Sequence, residues 1–189
     1  MNREEFLNKA KDRLQSDVFG LAGLKIPGDV RLTCGWPSSG GASAKRKTIG
    51  QCWARSSSDA LENQVFISPT IADTVQVLGV LAHELIHAID DCQNGHKAPF
   101  RKMALAIGLT GKMTATKIGE ELLPKLEKIR EDLGEYPHAP MKAPVPKQKS
   151  RQLKLECEDC GAVWRMAKKW LTEVKACPCC QSSNIFVPR

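Results

Sequence analysis

The segment HELIHAIDDCQNGH, residues 83–96, constrains this chain more than any other. It holds three of only four histidines in 189 residues. His83 and His87 are four apart with Glu84 between them, the pattern H-E-x-x-H. That spacing puts both imidazoles on one face of a helix and can aim two ring nitrogens at one ion. Val75, Leu78, Ala82, Leu85 and Ile89 give the same stretch an apolar stripe at helical intervals. At 100° per residue the histidine face lies roughly a quarter-turn from that stripe. One side of the helix can therefore pack while the other lines a cleft. The sequence predicts a helix opening at Ser68–Thr70, with a capping box from Thr70 to Asp73, and ending near QNG, where Gly95 suits a left-handed cap.

Two imidazoles favour zinc, and a catalytic zinc takes a third protein ligand and keeps one position for water. His96 fits as the third ligand, because a turn after the helix lets the chain double back. A metzincin arrangement would need Gly at 90 and His at 93, and those positions hold Asp90 and Gln93. A glutamate ligand from Glu120 or Glu121 remains an alternative. Glu84 fits a general base, taking a proton from metal-activated water and handing it to a leaving amine. Asp90, three residues past His87, is either a solvated helix-end residue or a group orienting a ligand imidazole.

Elsewhere in the first 136 residues the elements are short. Residues 3–19 carry Phe6, Leu7, Ala10, Leu14 and Val18 at helical spacing. DVRLTCGW alternates Val30, Leu32, Cys34 and Trp36 as a half-buried strand would, and TIGQCWA and NQVFISP read as two more strands. The Gly/Ser-rich stretch before Ile49, with AKRKT at 44–48, reads as a solvated loop. KAPFRKMALAIGL and TKIGEELLPKLEKIREDL read as helices, the second kinked or split at Pro124. Tyr136 is the only tyrosine, and nothing in the sequence places it in a cleft.

The composition changes after 136. Residues 137–151 are basic and proline-rich, the signature of a semi-extended linker. Five of the eight cysteines follow, and Cys157, Cys160, Cys177 and Cys180 form C-x2-C-x16-C-x2-C. The N-terminus has no secretory apolar core and no run spans a membrane, so a cytoplasmic setting with reduced thiols is expected. There, paired Cys-x2-Cys knuckles imply a closed, structural zinc and a small zinc ribbon over 152–189. The spacing selects Cys180 over Cys179. About forty residues hold too little core to fold unaided, so metal binding would supply what burial lacks. Cys34, Cys52 and Cys92 have no partner pattern and read as small hydrophobes.

Residues 137–189 carry ten Lys/Arg against four Asp/Glu, which is +6 of the chain's net +7. Lys154, Arg165, Lys168, Lys169 and Lys175 are candidate phosphate contacts, with Trp164 and Trp170 available to stack on bases or to form the ribbon's small core.

HELIHAIDDCQNGHKAPFRKMA resembles the SprT/Spartan-like family of zinc metallopeptidases, whose signature continues as G-H-x-x-x-F and maps here to His83, Glu84, His87, Gly95, His96 and Phe100. CGWPSSGG, IGQCW, VFISP and LGEYPHAPM look like the versions of this domain found in phages and actinobacteria. The resemblance implies an α+β zincin-like domain over 1–136: a helix, a small antiparallel sheet and the metal helix. It implies Zn2+ on the three histidines, Glu84 as base, and, for the Spartan branch, proteolysis of DNA-bound proteins. Two functions of different classes follow. One is a zinc endopeptidase with a DNA-associated protein substrate. The other is a non-catalytic zinc protein that binds nucleic acid or assists transcription. Glu84 discriminates, since a purely structural site has no use for it. Oligomeric state is not legible in the sequence.

Overall fold

The computed structural model describes residues 1–38, 48–142 and 152–187; positions 44–47 of AKRKT, and 143–151 of the expected linker, lie outside the described residues. The chain divides into two compact units, Met1–Val145 and Pro146–Arg189. Both mix helices or helical turns with small sheets.

The first unit opens with helix α1, Arg3–Leu14. Asn2 and Glu5 cap it reciprocally, side chain to backbone in both directions. Its helical path continues through a π-helical turn, Gln15–Phe19, and a 3-10 turn, Gly20–Ala22. Phe6, Leu7, Ala10, Leu14 and Val18, the stripe read from the sequence, are all buried.

Strands β1 (Val30–Cys34), β2 (Gly50–Trp53) and β3 (Asn63–Ile67) form one sheet in the order β1-β3-β2. It is mixed rather than antiparallel: β1 runs parallel to β3, and β2 runs antiparallel to it. The reason is connection length. Residues 54–62 reverse the chain directly between β2 and β3, whereas 35–49 are long enough to leave room for β3 beside β1. Trp36 falls beyond the strand and is 38% exposed. Val30, Leu32, Val65 and Ile67 point to the core.

Helix α2, Thr74–Ile89, crosses this sheet, burying Leu78, Ala82 and Leu85. Its cap lies three residues beyond Thr70 and five beyond Ser68, the two the sequence suggests. Asp73 is the cap, its Oδ1 accepting the Gln76 N–H at 2.7 Å, while Ser68 and Thr70 hydroxyls pair with each other at 3.0 Å instead. It also ends sooner. Asp91 (φ 51°) and Cys92 (φ 60°) already take the left-handed conformation, ahead of Gly95 (φ 49°).

Helix α3 is Ala98–Ala106. A hairpin follows, β4 (Leu109–Lys112) with β5 (Ala115–Ile118), where the sequence reads as helix from Thr116. Gly108 (φ 89°) and Gly111 (φ 82°) break helical continuity there. Helix α4, Leu123–Leu133, then carries Pro124 in its first turn, where a missing N–H costs nothing, so the proline marks the helix start rather than a kink. The chain stays docked past Tyr136: the Met141 N–H donates to Pro69 O at 2.7 Å.

In the second unit, β6 (Gln152–Cys157) pairs antiparallel with β7 (Val163–Ala167) and with β8 (Ile185–Phe186). Leu155 and Cys157 are buried, and Trp164, opposite Leu155, is half-buried on the same face. No helix among the described residues is long and apolar enough to cross a membrane.

Candidate metal centres

Helix α2 and the turn after it bring three imidazoles to one point. His83 Nε2 lies 3.2 Å from His96 Nε2, and His87 Nε2 lies 3.3 Å from the same atom. Tetrahedral zinc with nitrogen ligands about 2.0–2.1 Å away sets those nitrogens about 3.3–3.4 Å apart. Both distances fit that ion, and the three histidines, their ligand nitrogens all within 4.8 Å of one another, form a group that can hold a metal. Glu120 and Glu121 are not in that group; they line a separate surface depression.

Phe100 of α3, fully buried, forms the floor of this cluster. Its ring lies 4.5 Å from His87 in a stacked arrangement, 4.8 Å from His83 and 5.0 Å from His96, centroid to centroid. The turn between α2 and α3 is pinned from the sheet side. Asp91 Oδ1 accepts the Arg55 N–H at 2.8 Å and the Asn63 side-chain amide at 2.9 Å. These bonds hold the Asp91 carboxyl below the ordinary carboxylate range.

Burial, then the neighbouring imidazoles, lowers His83 to about 3 and His87 to about 4, and burial also lowers His96. All three are therefore neutral at pH 7, the form that ligates. The Asp90 charge opposes the shift on His87, and both Asp90 carboxylate oxygens are buried with no hydrogen-bond partner among the described residues.

Glu84 sits on the cleft side of the same helix, only 6% exposed. Burial, with the Cys92 thiol beside it, raises its carboxyl to about 8, partly offset by a hydrogen bond from the Cys52 backbone N–H. Strand β2 comes this close because residue 50 is glycine. A Cβ there would stand 2.5 Å from Glu84 Oε1 and 2.6 Å from Val80 Cγ1.

The site opens into a cleft of about 770 Å³. One wall is β2, an edge strand of its sheet; another is the hairpin residues Thr114–Ile118. On that edge the Cys52 N–H donates to Glu84 and the Cys52 carbonyl accepts from the Cys92 thiol at 3.6 Å, which leaves the flanking backbone of β2 to pair with an extended peptide. Tyr136 is absent from this lining and packs edge-on against Phe6, centroids 5.3 Å apart.

No family model, no curated protein and no solved structure matches this chain.

The second unit gathers Cys157, Cys160, Cys177 and Cys180 into a group that can hold a metal. Cys157 Sγ is 3.5 Å from Cys180 Sγ, and Cys160 Sγ is 3.6 Å from Cys177 Sγ. Four thiolates about 2.3 Å from zinc stand about 3.8 Å apart, so the sulfurs fit after a small expansion. Cys179 is excluded from the group, and its N–H instead points to Cys177 Sγ at 3.4 Å. Amide hydrogen bonds from Cys180 and Cys179 bring the Cys177 thiol down to about 7.

The five candidate cations spread over the surface of the second unit. Lys154 and Arg165 stand directly opposite each other on β6 and β7, with Lys154 also paired to Glu156 at 2.9 Å. Lys168, Lys169 and Lys175 are exposed, and the Lys169 ammonium lies 4.8 Å from the ring of Trp170, which is 53% exposed. Trp164 is thus the half-buried tryptophan of the second unit and Trp170 its exposed one. Phe100, Thr116, Gly50 and the Cys52–Cys92 neighbourhood complete the first site. Of these the sequence signals only Phe100, through its place in the signature.

Proposed function

We propose that the first unit is a zinc-dependent metallopeptidase of the SprT/Spartan-like type, with Glu84 as general base, and that its substrates are proteins associated with DNA. The observation that supports it is the convergence of His83 and His87 of α2 with His96 of the following turn, with Glu84 on that helix, inside a cleft walled by the edge strand β2. Bound to the three imidazoles, zinc lowers the pKa of a water and polarises a carbonyl.

The chain's own residues do the rest. The β2 edge holds an extended peptide by main-chain hydrogen bonds beside the histidines. Burial favours the neutral carboxyl of Glu84, and a dication on the neighbouring imidazoles would favour its ionised form, in which Glu84 would accept the water's proton and return it to the leaving amine. Phe100 keeps the imidazole cluster packed from below. In the second unit, Cys157, Cys160, Cys177 and Cys180 hold a structural zinc. Lys154, Arg165, Lys168, Lys169 and Lys175 contact phosphates without reading sequence.

Glu84→Gln tests the reading. It removes the base and keeps the side chain's size. It should leave both zincs bound and abolish cleavage of a protein substrate bound to DNA. Cleavage equal to wild type would remove Glu84 from the chemistry. If wild type and E84Q are equally inert on every DNA form, the non-catalytic binding protein is the better account.

A further inference from the structure

The hairpin β4–β5 walls the cleft, yet much of it faces solvent: Thr110, Gly111, Lys112, Ala115 and Lys117 are exposed. Two of its side chains fasten it to the metal helix. Ile118 lies so close to Gly79 that a Cβ there would stand 2.8 Å from Ile118 Cδ1 and Cγ1. One turn further along α2, His83 Nδ1 lies 2.8 Å from Thr116 Oγ1.

The second contact fits the protonation state that metal binding requires of His83. Nε2 faces the other two imidazoles, 3.2 Å from His96 Nε2. For Nε2 to offer a lone pair to a metal, the proton must sit on Nδ1. Nδ1–H then donates to Thr116 Oγ1, a length well within hydrogen-bond range. A ligand imidazole anchored in this way has a fixed ring plane before the metal arrives, and the hydroxyl, able to donate or accept, accommodates the Nδ1–H tautomer that ligation requires. A neutral hydroxyl also withholds the negative charge that a carboxylate partner would bring, so less electron density reaches the ligand.

We infer that Thr116 is a positioning residue for His83 and that, through this hydrogen bond, metal at the three histidines holds the β4–β5 wall of the cleft in place. The inference rests on the metal reading of the histidines. It assigns the hairpin a second role: besides lining the cleft, it reports occupancy of the metal site. A hairpin released when the metal leaves would loosen the wall against which substrate packs.

Two substitutions in the full chain test it. Thr116→Val keeps the branched shape and strand preference but has no hydroxyl; Thr116→Ser keeps the hydroxyl. Zinc affinity at the histidines is read by competition with a chelator, the cysteine site serving as internal reference. Hydrogen exchange across residues 109–118 is read with and without zinc. T116V should weaken zinc binding at the histidines about 10- to 100-fold, while T116S stays close to wild type. Zinc should slow exchange of the hairpin in wild type and T116S but not in T116V. Should valine prevent folding, Thr116→Ala gives the same comparison without β-branching.

A T116V protein that binds zinc as tightly as wild type, with normal uptake by wild type, overturns this inference alone. A wild-type chain that takes up zinc only at the cysteines overturns the metal reading and this inference together.

Discussion

Gly50→Ala is the most revealing single change in the cleft. Gly50 has an ordinary strand backbone, so alanine meets no conformational penalty and trims the entropy of the unfolded chain, worth about 0.4–1 kcal/mol of added stability. Against that stands the space. The new Cβ would be 2.5 Å from Glu84 Oε1, 2.6 Å from Val80 Cγ1 and 2.9 Å from Glu84 Cγ. Glu84 can swing its carboxylate, but Val80 is β-branched on a helix and has one favoured rotamer. Either the strand withdraws or the helix yields. Overpacking of this kind costs about 1–3 kcal/mol, so the clash wins and the net loss is about 1–2 kcal/mol. For a unit of this size, that lowers Tm by about 2–8 °C. Withdrawal of β2 also takes the Cys52 N–H away from Glu84, and with Glu84 in the proposed role of base a shift of about 1 Å there costs on the order of 10²-fold in rate. Thermal unfolding, zinc content and cleavage rate of G50A are the assay. The expectation is two zincs, a lower Tm and a rate loss far larger than the stability loss. A G50A protein as stable as wild type that cleaves at the wild-type rate would refute the close approach of β2 to Glu84.

The cysteine assignment separates two neighbours: Cys180→Ser should lose one zinc per chain and Cys179→Ser none, as read by metal analysis of the folded protein. Asp91 has a lowered carboxyl pKa, so its two hydrogen bonds contribute stability above the ordinary aspartate pKa of about 3.9 and lose it as pH falls through the depressed value. Asp91→Asn should therefore flatten the acid limb of a stability-against-pH curve below about pH 4, and an unchanged limb would place the acid sensitivity elsewhere.

The sequence makes the metal helix legible because one spacing serves two periodicities. Leu78, Ala82 and Leu85 repeat with the helix, and so do His83 and His87, a quarter-turn away. The cysteine knuckles are legible because x2 spacing is local, and the same spacing separates Cys180 from Cys179. What the sequence hides is non-local. The parallel β1–β3 pairing depends on which strand enters the gap left by a long connection, and no residue in β1 records that. The β4–β5 hairpin hides behind good helix formers: Glu120–Leu123 follow TKI after a single glycine, and only Gly108, Gly111 and Gly119 punctuate the segment. Pro124 reads as a kink or as a first turn equally well until the hairpin before it is known. Asp73 loses to Thr70 as a cap on paper because both stand before an apolar run, and the choice rests on where Pro69 and Ile71 pack. Thr116 carries no signal at all, since its importance arises from a strand thirty-three residues away from its partner histidine.

The central claim is that His83, His87 and His96 hold a metal ion distinct from the one on the four cysteines. Counting zinc per folded chain tests it most directly. The account predicts two in wild type, one in His83→Ala and one in Cys157→Ala, with the double variant H83A/C157A holding none. A wild-type chain with a single zinc that survives His83→Ala would contradict it.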